Sequence, residues 1–243
     1  MERGLTPSRE RAQALILAGK VLVDDQKIDK AGASVDLDAS IRLLAPDLRY
    51  VSRGGLKLEK AIDHWKIDLR GKICLDIGTS TGGFTDCMLQ NGAASVFAVD
   101  TGAGQIDFKL RNDARVYLLE KTNARYLKAT DLSAPIDFIA VDVSFISATL
   151  VLPPVLRAAF GDRPLSAAAR WEASLVVLVK PQFEVGRERV GKGGIVRDEE
   201  AQRASVEKIK QALMDLGVGH LDWIESPILG TEGNREFLLH GWI

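Results

Sequence analysis

The chain has 243 residues and a mass of 26.5 kDa, with 32 Lys and Arg against 33 Asp and Glu and a formal net charge of −1. With 46% hydrophobic and 27% charged residues, the composition excludes a disordered or fibrous protein and predicts a sizeable core. The apolar runs are far shorter than the roughly 20 residues of a membrane helix, and the N-terminus lacks a signal-peptide pattern, so we expect a cytoplasmic protein without a membrane partner.

Residues 1–46 predict a small module that differs from the rest of the chain. A helical pattern begins with Ser8 as the predicted N-cap, runs through Leu17 and stops at Gly19. The pattern of VLVDDQKI then predicts a strand, a turn at Asp-Asp-Gln and a second strand. The module is therefore a helix followed by a hairpin.

A linker over residues 47–56 and a second domain over residues 57–243 are predicted to follow, and a helix runs from about Leu56 to Trp65. From there the chain alternates apolar strands, glycine-rich turns and helices, which is typical of a parallel sheet covered on both faces. The strands are predicted at 72–77, 95–100, 115–119, 137–142 and 173–180.

The last part of the chain predicts a long helix and a hairpin. Asp198 can cap a helix that runs from Glu199 to Leu216. VGHLDWIE and EFLLHGWI then form two strands, which would give the sheet an antiparallel edge. The fold class is α/β.

The stretch CLDIGTSTGGF carries the clearest motif. A strand ends at Ile77, and the chain turns through Gly78, Gly82 and Gly83 into a helix, where backbone N–H groups can approach a ligand. Asp100 ends the next strand, where a carboxylate can accept hydrogen bonds from ribose hydroxyls. The pattern D-x-G-x-x-x-G-G-F is typical of enzymes that use S-adenosylmethionine. The alternative is a tight turn whose glycines serve only packing.

Charged residues stand at the ends of other strands. Asp142 ends the fourth strand and Lys180 the fifth, so both should face the crevice at the carboxyl edge of the sheet. Glu236 opens the last strand, and Lys57 follows Arg53-Gly54-Gly55. Each residue alone could equally be a solvated charge at a strand end.

The cysteines and histidines show no metal-ligand spacing. Cys74 and Cys87 lie within apolar patterns and are predicted to be buried thiols without a disulfide. His64, His220 and His240 stand far apart, so no metal is expected.

Seven longer stretches together resemble one family. They are VSRGGLKLEKA, CLDIGTSTGGFTDCMLQNGA, AVDTGAGQ, VDVSFIS, LVKPQFEVGR, KGGIVRD and EGNREFLL. From about Ala12 to the C-terminus the chain is similar to the TlyA family of ribosomal RNA 2′-O-methyltransferases, some of whose members are named haemolysin A. The resemblance implies an S4-like RNA-binding module followed by a class I, FtsJ-like methyltransferase domain with a seven-stranded, mostly parallel sheet and an antiparallel last strand.

The resemblance also implies site residues. A Lys-Asp-Lys-Glu catalytic tetrad maps onto Lys57, Asp142, Lys180 and Glu236. S-adenosylmethionine is expected at Asp76, Gly78, Gly82, Phe84, Asp100 and Asn123, with Asn123 near the adenine. The expected substrate is a ribose 2′-hydroxyl, of cytidine as the family implies, in ribosomal RNA or a ribosomal subunit.

These four residues fit the chemistry of methylating a hydroxyl group. A hydroxyl is a poor nucleophile, so the site must orient its oxygen and accept or stabilise its proton. We expect Lys180 to orient the hydroxyl and stabilise negative charge. The alternative is that it accepts the proton as a neutral amine, which burial and Lys57 would favour and the two carboxylates would oppose. Asp142 is followed by Val-Ser-Phe, not by the Pro-Pro-Tyr/Phe of enzymes that methylate base amino groups.

Basic residues predict RNA contacts. Residues 42–66 and 180–197 each carry a local charge of +3. The S4-like module is expected to be N-terminally incomplete, because such modules usually begin about ten residues earlier with another helix. The predicted RNA-binding residues are Arg9, Arg11, Lys20, Arg53, Arg187, Arg189 and Lys192.

Two other functions are alternatives to methyl transfer. A membrane-lytic haemolysin would need an apolar or amphipathic membrane segment, and a non-catalytic RNA-binding protein would have no need of four converging charges. The sequence specifies neither the target nucleotide, nor the subunit, nor the oligomeric state.

Overall fold

The computed structural model describes residues 3, 5–6, 9–44, 49–161, 173–230 and 232–243. The chain forms two compact units, Met1–Arg49 and Tyr50–Ile243, and each is described by itself.

The N-terminal unit contains one helix and a three-stranded sheet. Helix α1 (Arg9–Leu17) precedes β1 (Val21–Val23), β2 (Gln26–Ile28) and β3 (Ile41–Leu43), which form an antiparallel sheet in the order β2-β1-β3. The predicted hairpin is confirmed, with Asp24 and Asp25 at positive φ in its turn. Strand β3 was not predicted, and the predicted cap Ser8 lies outside the described residues.

The C-terminal unit is built on a seven-stranded sheet. Its strands are β4 (Ile73–Ile77), β5 (Ser95–Val99), β6 (Val116–Leu119), β7 (Phe138–Val141), β8 (Ser174–Val179), β9 (Gly219–Glu225) and β10 (Phe237–Trp242). Their order is β6-β5-β4-β7-β8-β10-β9. The five predicted parallel strands are confirmed, and so is the antiparallel edge, because β10 runs antiparallel to β8 and β9.

Six helices accompany this sheet in the described residues: α2 (Gly54–Trp65), α3 (Gly83–Gln90), α4 (Phe108–Arg111), α5 (Leu152–Phe160), α6 (Pro181–Glu184) and α7 (Glu199–Asp215). Helix α2 begins two residues before the predicted Leu56. Helix α7 begins as predicted, since the Asp198 carboxylate accepts a hydrogen bond from the N–H of Glu200.

The five central strands of this sheet are buried on both faces, whereas the edge strands β6 and β9 are partly exposed. Leu75 and Ile139 pack in a core that includes residues of α5 and α7. Their neighbours Cys74 and Phe138 point to the other face, into a core that includes residues of α2 and α3. Cys74 and Cys87 are fully buried, as predicted, and neither forms a disulfide. This sandwich leaves the carboxyl ends of the parallel strands as the open edge, where strand order reverses between β5 and β7 on either side of β4.

Candidate active site

The turn after β4 brings the ends of two strands into contact. Gly78 has φ +87°, and a Cβ there would lie 2.2 Å from the carbonyl oxygen of Asp142. Its N–H donates to the carbonyl of Val99, and the N–H of Asp142 donates to the carbonyl of Ile77. Only glycine therefore allows β4 and β7 to end side by side at this edge.

Two further residues that are predicted to bind the cofactor, Gly82 and Asp76, lie on either side of this turn in the sequence. Gly82, at φ +94°, is the N-cap of α3, and a Cβ there would lie 2.3 Å from the side chain of Leu110. Asp76 is fully buried, and its Oδ2 accepts a 2.6 Å hydrogen bond from Thr85. Burial raises the pKa of Asp76 to about 7, against the lowering effect of Thr85. Neither residue is among those lining the cavities described next, so a contact of either with a cofactor stays a prediction.

A cavity of about 560 Å³ opens beside the turn, and we call it the Asp100 cavity. Asp100 accepts hydrogen bonds from the N–H groups of Ser80 (2.8 Å) and Gly102 (2.7 Å). Asn123 caps a short 3₁₀ turn by accepting from the N–H of Arg125. Of the predicted cofactor residues, Gly78, Asp100 and Asn123 line this cavity.

A second cleft, of about 310 Å³, contains the predicted tetrad, and we call it the Lys180 cleft. Lys57, Asp142, Lys180 and Glu236 all line it, together with Arg53 and Phe84. It shares Gly78, Ser80, Asp142 and Ser144 with the Asp100 cavity, so the two spaces adjoin. A ligand in one can therefore meet a ligand in the other.

The four tetrad side chains form two ion pairs. Lys57 Nζ lies 2.5 Å from Glu236 Oε2, and these side chains are only 11% and 3% exposed. Lys180 Nζ lies 2.6 Å from Asp142 Oδ1 and donates a 2.8 Å hydrogen bond to Ser144 Oγ. The Lys180–Asp142 contact is close but not aligned as a hydrogen bond, so Asp142 Oδ1 lacks an aligned donor. The charges of the four side chains balance.

Strand register explains why the four residues meet. Asp142 and Lys180 directly follow the neighbouring parallel strands β7 and β8. In the antiparallel pairing of β10 with β8, Phe237 lies opposite Val179, which brings Glu236 beside Lys180. Lys57 lies in the first turn and a half of α2.

The loop that follows Asp142 contains an aromatic residue, Phe145, that was not among the predicted site residues. Phe145 has φ +64° and is 91% exposed, and its ring centroid lies 5.2 Å from that of Phe183. A bulky residue in this backbone region costs on the order of 1–3 kcal/mol, and such strain clusters at functional sites. In the sequence, Phe145 is marked only by its place within VDVSFIS, one of the stretches that resemble the family.

The predicted RNA-binding residues occupy different places. Arg53 lines the Lys180 cleft. Arg187, Arg189 and Lys192 are exposed on the loop after α6. Asn234 ties that loop to the segment before Glu236, because its side chain accepts from the N–H of Val196 and donates to the carbonyl of Gly194.

In the N-terminal unit, Arg9 and Lys20 are exposed, and Arg11 lies in α1. Arg9 lines a largely apolar groove within this unit.

The described residues contain no group of three or more His, Cys, Asp or Glu side chains that could hold a metal ion. Nor is any described helix both long enough and apolar enough to cross a membrane.

Comparisons with known proteins agree with this geometry. A family model of the S4 domain matches residues 2–41, and one of the FtsJ-like methyltransferase matches residues 50–242. The 16S/23S rRNA (cytidine-2′-O)-methyltransferase TlyA of Mycobacterium tuberculosis is 40% identical over 240 residues, which is 98% of this chain and 86% of that protein. Hemolysin A of Brachyspira hyodysenteriae is 40% identical over 238 residues, 98% of this chain and 95% of that protein.

Solved structures give the same picture. A protein described as a hemolysin from Streptococcus thermophilus is 42% identical, with a TM-score of 0.74 over 99% of this chain and 85% of that one. Aeropyrum pernix fibrillarin, crystallised with S-adenosyl-L-methionine, shares only the fold, at 13% identity and a TM-score of 0.50 over 91% of this chain and 94% of that one. The resemblance seen in the sequence is thus confirmed, and the chain belongs to the TlyA family of FtsJ-like methyltransferases, with an S4 domain at its N-terminus.

Proposed function

We propose that this protein transfers the methyl group of S-adenosylmethionine to the 2′-hydroxyl of a cytidine ribose in ribosomal RNA. The observation that carries the proposal is the place of Lys180. It is held by Asp142 and Ser144 in a cleft that adjoins a cavity suited to a nucleoside. The substrate named for the M. tuberculosis relative supports the choice of cytidine in ribosomal RNA.

The Asp100 cavity fits the nucleoside part of the cofactor. Each oxygen of Asp100 accepts one backbone hydrogen bond and keeps a lone pair for a ribose hydroxyl. Asn123 brings an amide to the same cavity, and Val143 and Ile146 bring apolar surface for a base. The bound cofactor would supply an electrophilic methyl group on a sulfonium.

The tetrad can orient the attacking hydroxyl. The ammonium group of Lys180 has three protons, and its hydrogen bond to Ser144 leaves protons that can be donated to the ribose oxygen, beside the ion pair with Asp142. Asp142 lines the same cleft, and its carboxylate can accept the hydrogen bond of the hydroxyl and direct the oxygen lone pair at the methyl group. The buried pair of Lys57 and Glu236 lines the same cleft.

RNA would approach over basic side chains. Arg53 lines the cleft, and the loop bearing Arg187, Arg189 and Lys192 is tied to the segment before Glu236. We propose phosphate contacts for these residues and for Arg9, Arg11 and Lys20 of the S4 domain.

Methyl incorporation tests the proposal. The protein is incubated with labelled S-adenosylmethionine and, separately, with small subunits, large subunits, naked ribosomal RNA and bulk tRNA. We expect label in ribosomal RNA or a subunit and none in tRNA.

Two variants make the assay specific to the site. Lys180→Met should lose at least about a hundredfold in rate and keep its cofactor affinity within a few-fold. Lys210→Met, which alters a surface ion pair on α7, should behave as wild type. Absence of incorporation into every ribosomal substrate would overturn the proposal and favour a non-catalytic RNA-binding protein. Full activity in Lys180→Met would overturn the role proposed for Lys180, on which the proposal depends.

A further inference from the structure

Glu184 is a buried carboxylate that the proposed mechanism does not use. It lies at the end of the short helix α6, which begins at Pro181 directly after Lys180, and it is only 8% exposed. It is not among the residues that line the Lys180 cleft. A charge is rarely buried without partners, so its contacts indicate its role.

Both oxygens of Glu184 bind the loop that begins at Asp142. Oε2 accepts a 2.5 Å hydrogen bond from the hydroxyl of Ser147, and Oε1 accepts a 2.7 Å bond from the N–H of Ala148. On the same helix, Phe183 packs its ring against that of Phe145. Helix α6 therefore contacts this loop through one polar and one aromatic side chain.

A lysine of α7 fixes Glu184 from the other side. Lys208 Nζ lies 3.1 Å from Oε2 of Glu184 and donates a 2.8 Å hydrogen bond to the carbonyl oxygen of the same residue. It also lies 3.3 Å from the hydroxyl of Ser147. The carboxylate is thus compensated in charge and held in one orientation.

The loop is consequently held at both ends. At its start, the N–H of Asp142 donates to Ile77 in the neighbouring strand β4. At its end, Ser147 and Ala148 bind Glu184. Between these anchors lie Ser144, which accepts from Lys180, and Phe145 with its positive φ. A strained backbone persists only where its surroundings over-determine it, and the anchors supply that constraint.

We propose that Glu184 is a positioning residue for methyl transfer, an inference that rests on the function proposed above. Glu184 links the segment that carries Lys180 to the loop that carries Asp142 and Ser144. It thereby fixes the Lys180 ammonium group against its two partners and keeps the reactive geometry. It lines neither the Lys180 cleft nor the Asp100 cavity.

Hydrogen exchange tests the link without reference to activity. In Glu184→Gln and Ser147→Ala, the amide of Ala148, which donates to Glu184, should exchange at least about tenfold faster than in wild type, while the amides of β7 should not change. Glu207→Ala, which removes an exposed carboxylate of α7, serves as the matched control and should leave the loop unchanged. Unchanged protection in both test variants would overturn the proposal, whether or not the protein proves to be a methyltransferase.

Kinetics test the consequence. Both variants should lose roughly tenfold or more in kcat, with cofactor affinity within about twofold of wild type, because the Asp100 cavity is intact. In the double variant Ser147→Ala with Ser144→Ala, the fold-loss in kcat should be smaller, by at least about threefold, than the product of the fold-losses of the two single variants, since both residues act through Lys180.

A merely structural role predicts different results. Losses that multiply, or a kcat of at least half the wild-type value in both variants, would contradict positioning by Glu184. Inactivity of the wild type itself would instead contradict the proposed function, and hydrogen exchange would still decide whether the link exists.

Discussion

The buried ion pair of Lys57 and Glu236 can be broken from one side or removed from both, and the two operations should differ sharply. In Lys57→Met, the carboxylate of Glu236, 3% exposed, loses the ammonium group that lies 2.5 Å away. Leaving a buried charge without its partner lowers the free energy of unfolding by about 3–5 kcal/mol, whereas replacing both partners often leaves it unchanged. In a domain of this size each kcal/mol lowers Tm by about 2–4 °C, so Lys57→Met should melt roughly 6–20 °C below wild type.

Calorimetry of the full chain measures the difference. The double variant Lys57→Met with Glu236→Gln should melt within about 4 °C of wild type, and both variants should lose methyl transfer. Lys210→Met, which removes a surface ion pair with Glu207, serves as the control and should shift Tm by no more than about 4 °C. A single variant as stable as wild type, or a double variant as unstable as the single one, would refute the reasoning that this pair is desolvated and mutually compensated.

Three further predictions address the cofactor, the RNA and the turn. Asp100→Ala removes the carboxylate of the Asp100 cavity and should weaken S-adenosylmethionine binding about tenfold or more in calorimetry; wild-type affinity would contradict the assignment. Arg187→Ala with Arg189→Ala should flatten the dependence of RNA affinity on salt by up to about two units of slope, and an unchanged slope would exclude this loop from the RNA surface. Asp76 has its pKa raised from 3.8 to about 7 by burial, so its stabilising contribution is complete below pH 3.8 and is lost as pH rises through 7. As the pH rises from 4 to 7, the stability of Asp76→Asn relative to that of the wild type should therefore increase by on the order of 4 kcal/mol. Urea denaturation at several pH values measures this, and a difference in stability that does not depend on pH would contradict it.

The sheet and its functional edge could be predicted because their signals are local. Apolar runs mark the parallel strands, and the polar residue after each run marks a strand end. Since parallel strands end at one edge, Asp142 and Lys180 had to share a crevice, and the structure places them 2.6 Å apart. The roles of Lys57 and Glu236 came from the family resemblance, because their pairing spans 179 positions of the chain.

The contacts that support the site could not be predicted in this way. Glu184 and Ser147 are 37 positions apart, and Lys208 and Ser147 are 61 apart. Neither hydrophobic periodicity nor turn chemistry reports on pairs so distant. The same holds for Asp86, whose carboxylate accepts from the N–H of Val51 and fixes the segment that leads to Arg53. Spacing also cannot show that a glycine lies against a particular side chain, as Gly82 does against Leu110.

Nucleoside analysis of the modified RNA tests the central claim most directly. Ribosomal RNA methylated by the wild-type protein with labelled S-adenosylmethionine is digested to nucleosides, which are separated and identified by mass spectrometry. The account predicts that the label lies in 2′-O-methylcytidine, that the modified linkage resists alkaline hydrolysis, and that Lys180→Met yields none of this product. Label in a methylated base, or 2′-O-methylcytidine formed at the wild-type rate by Lys180→Met, would contradict it.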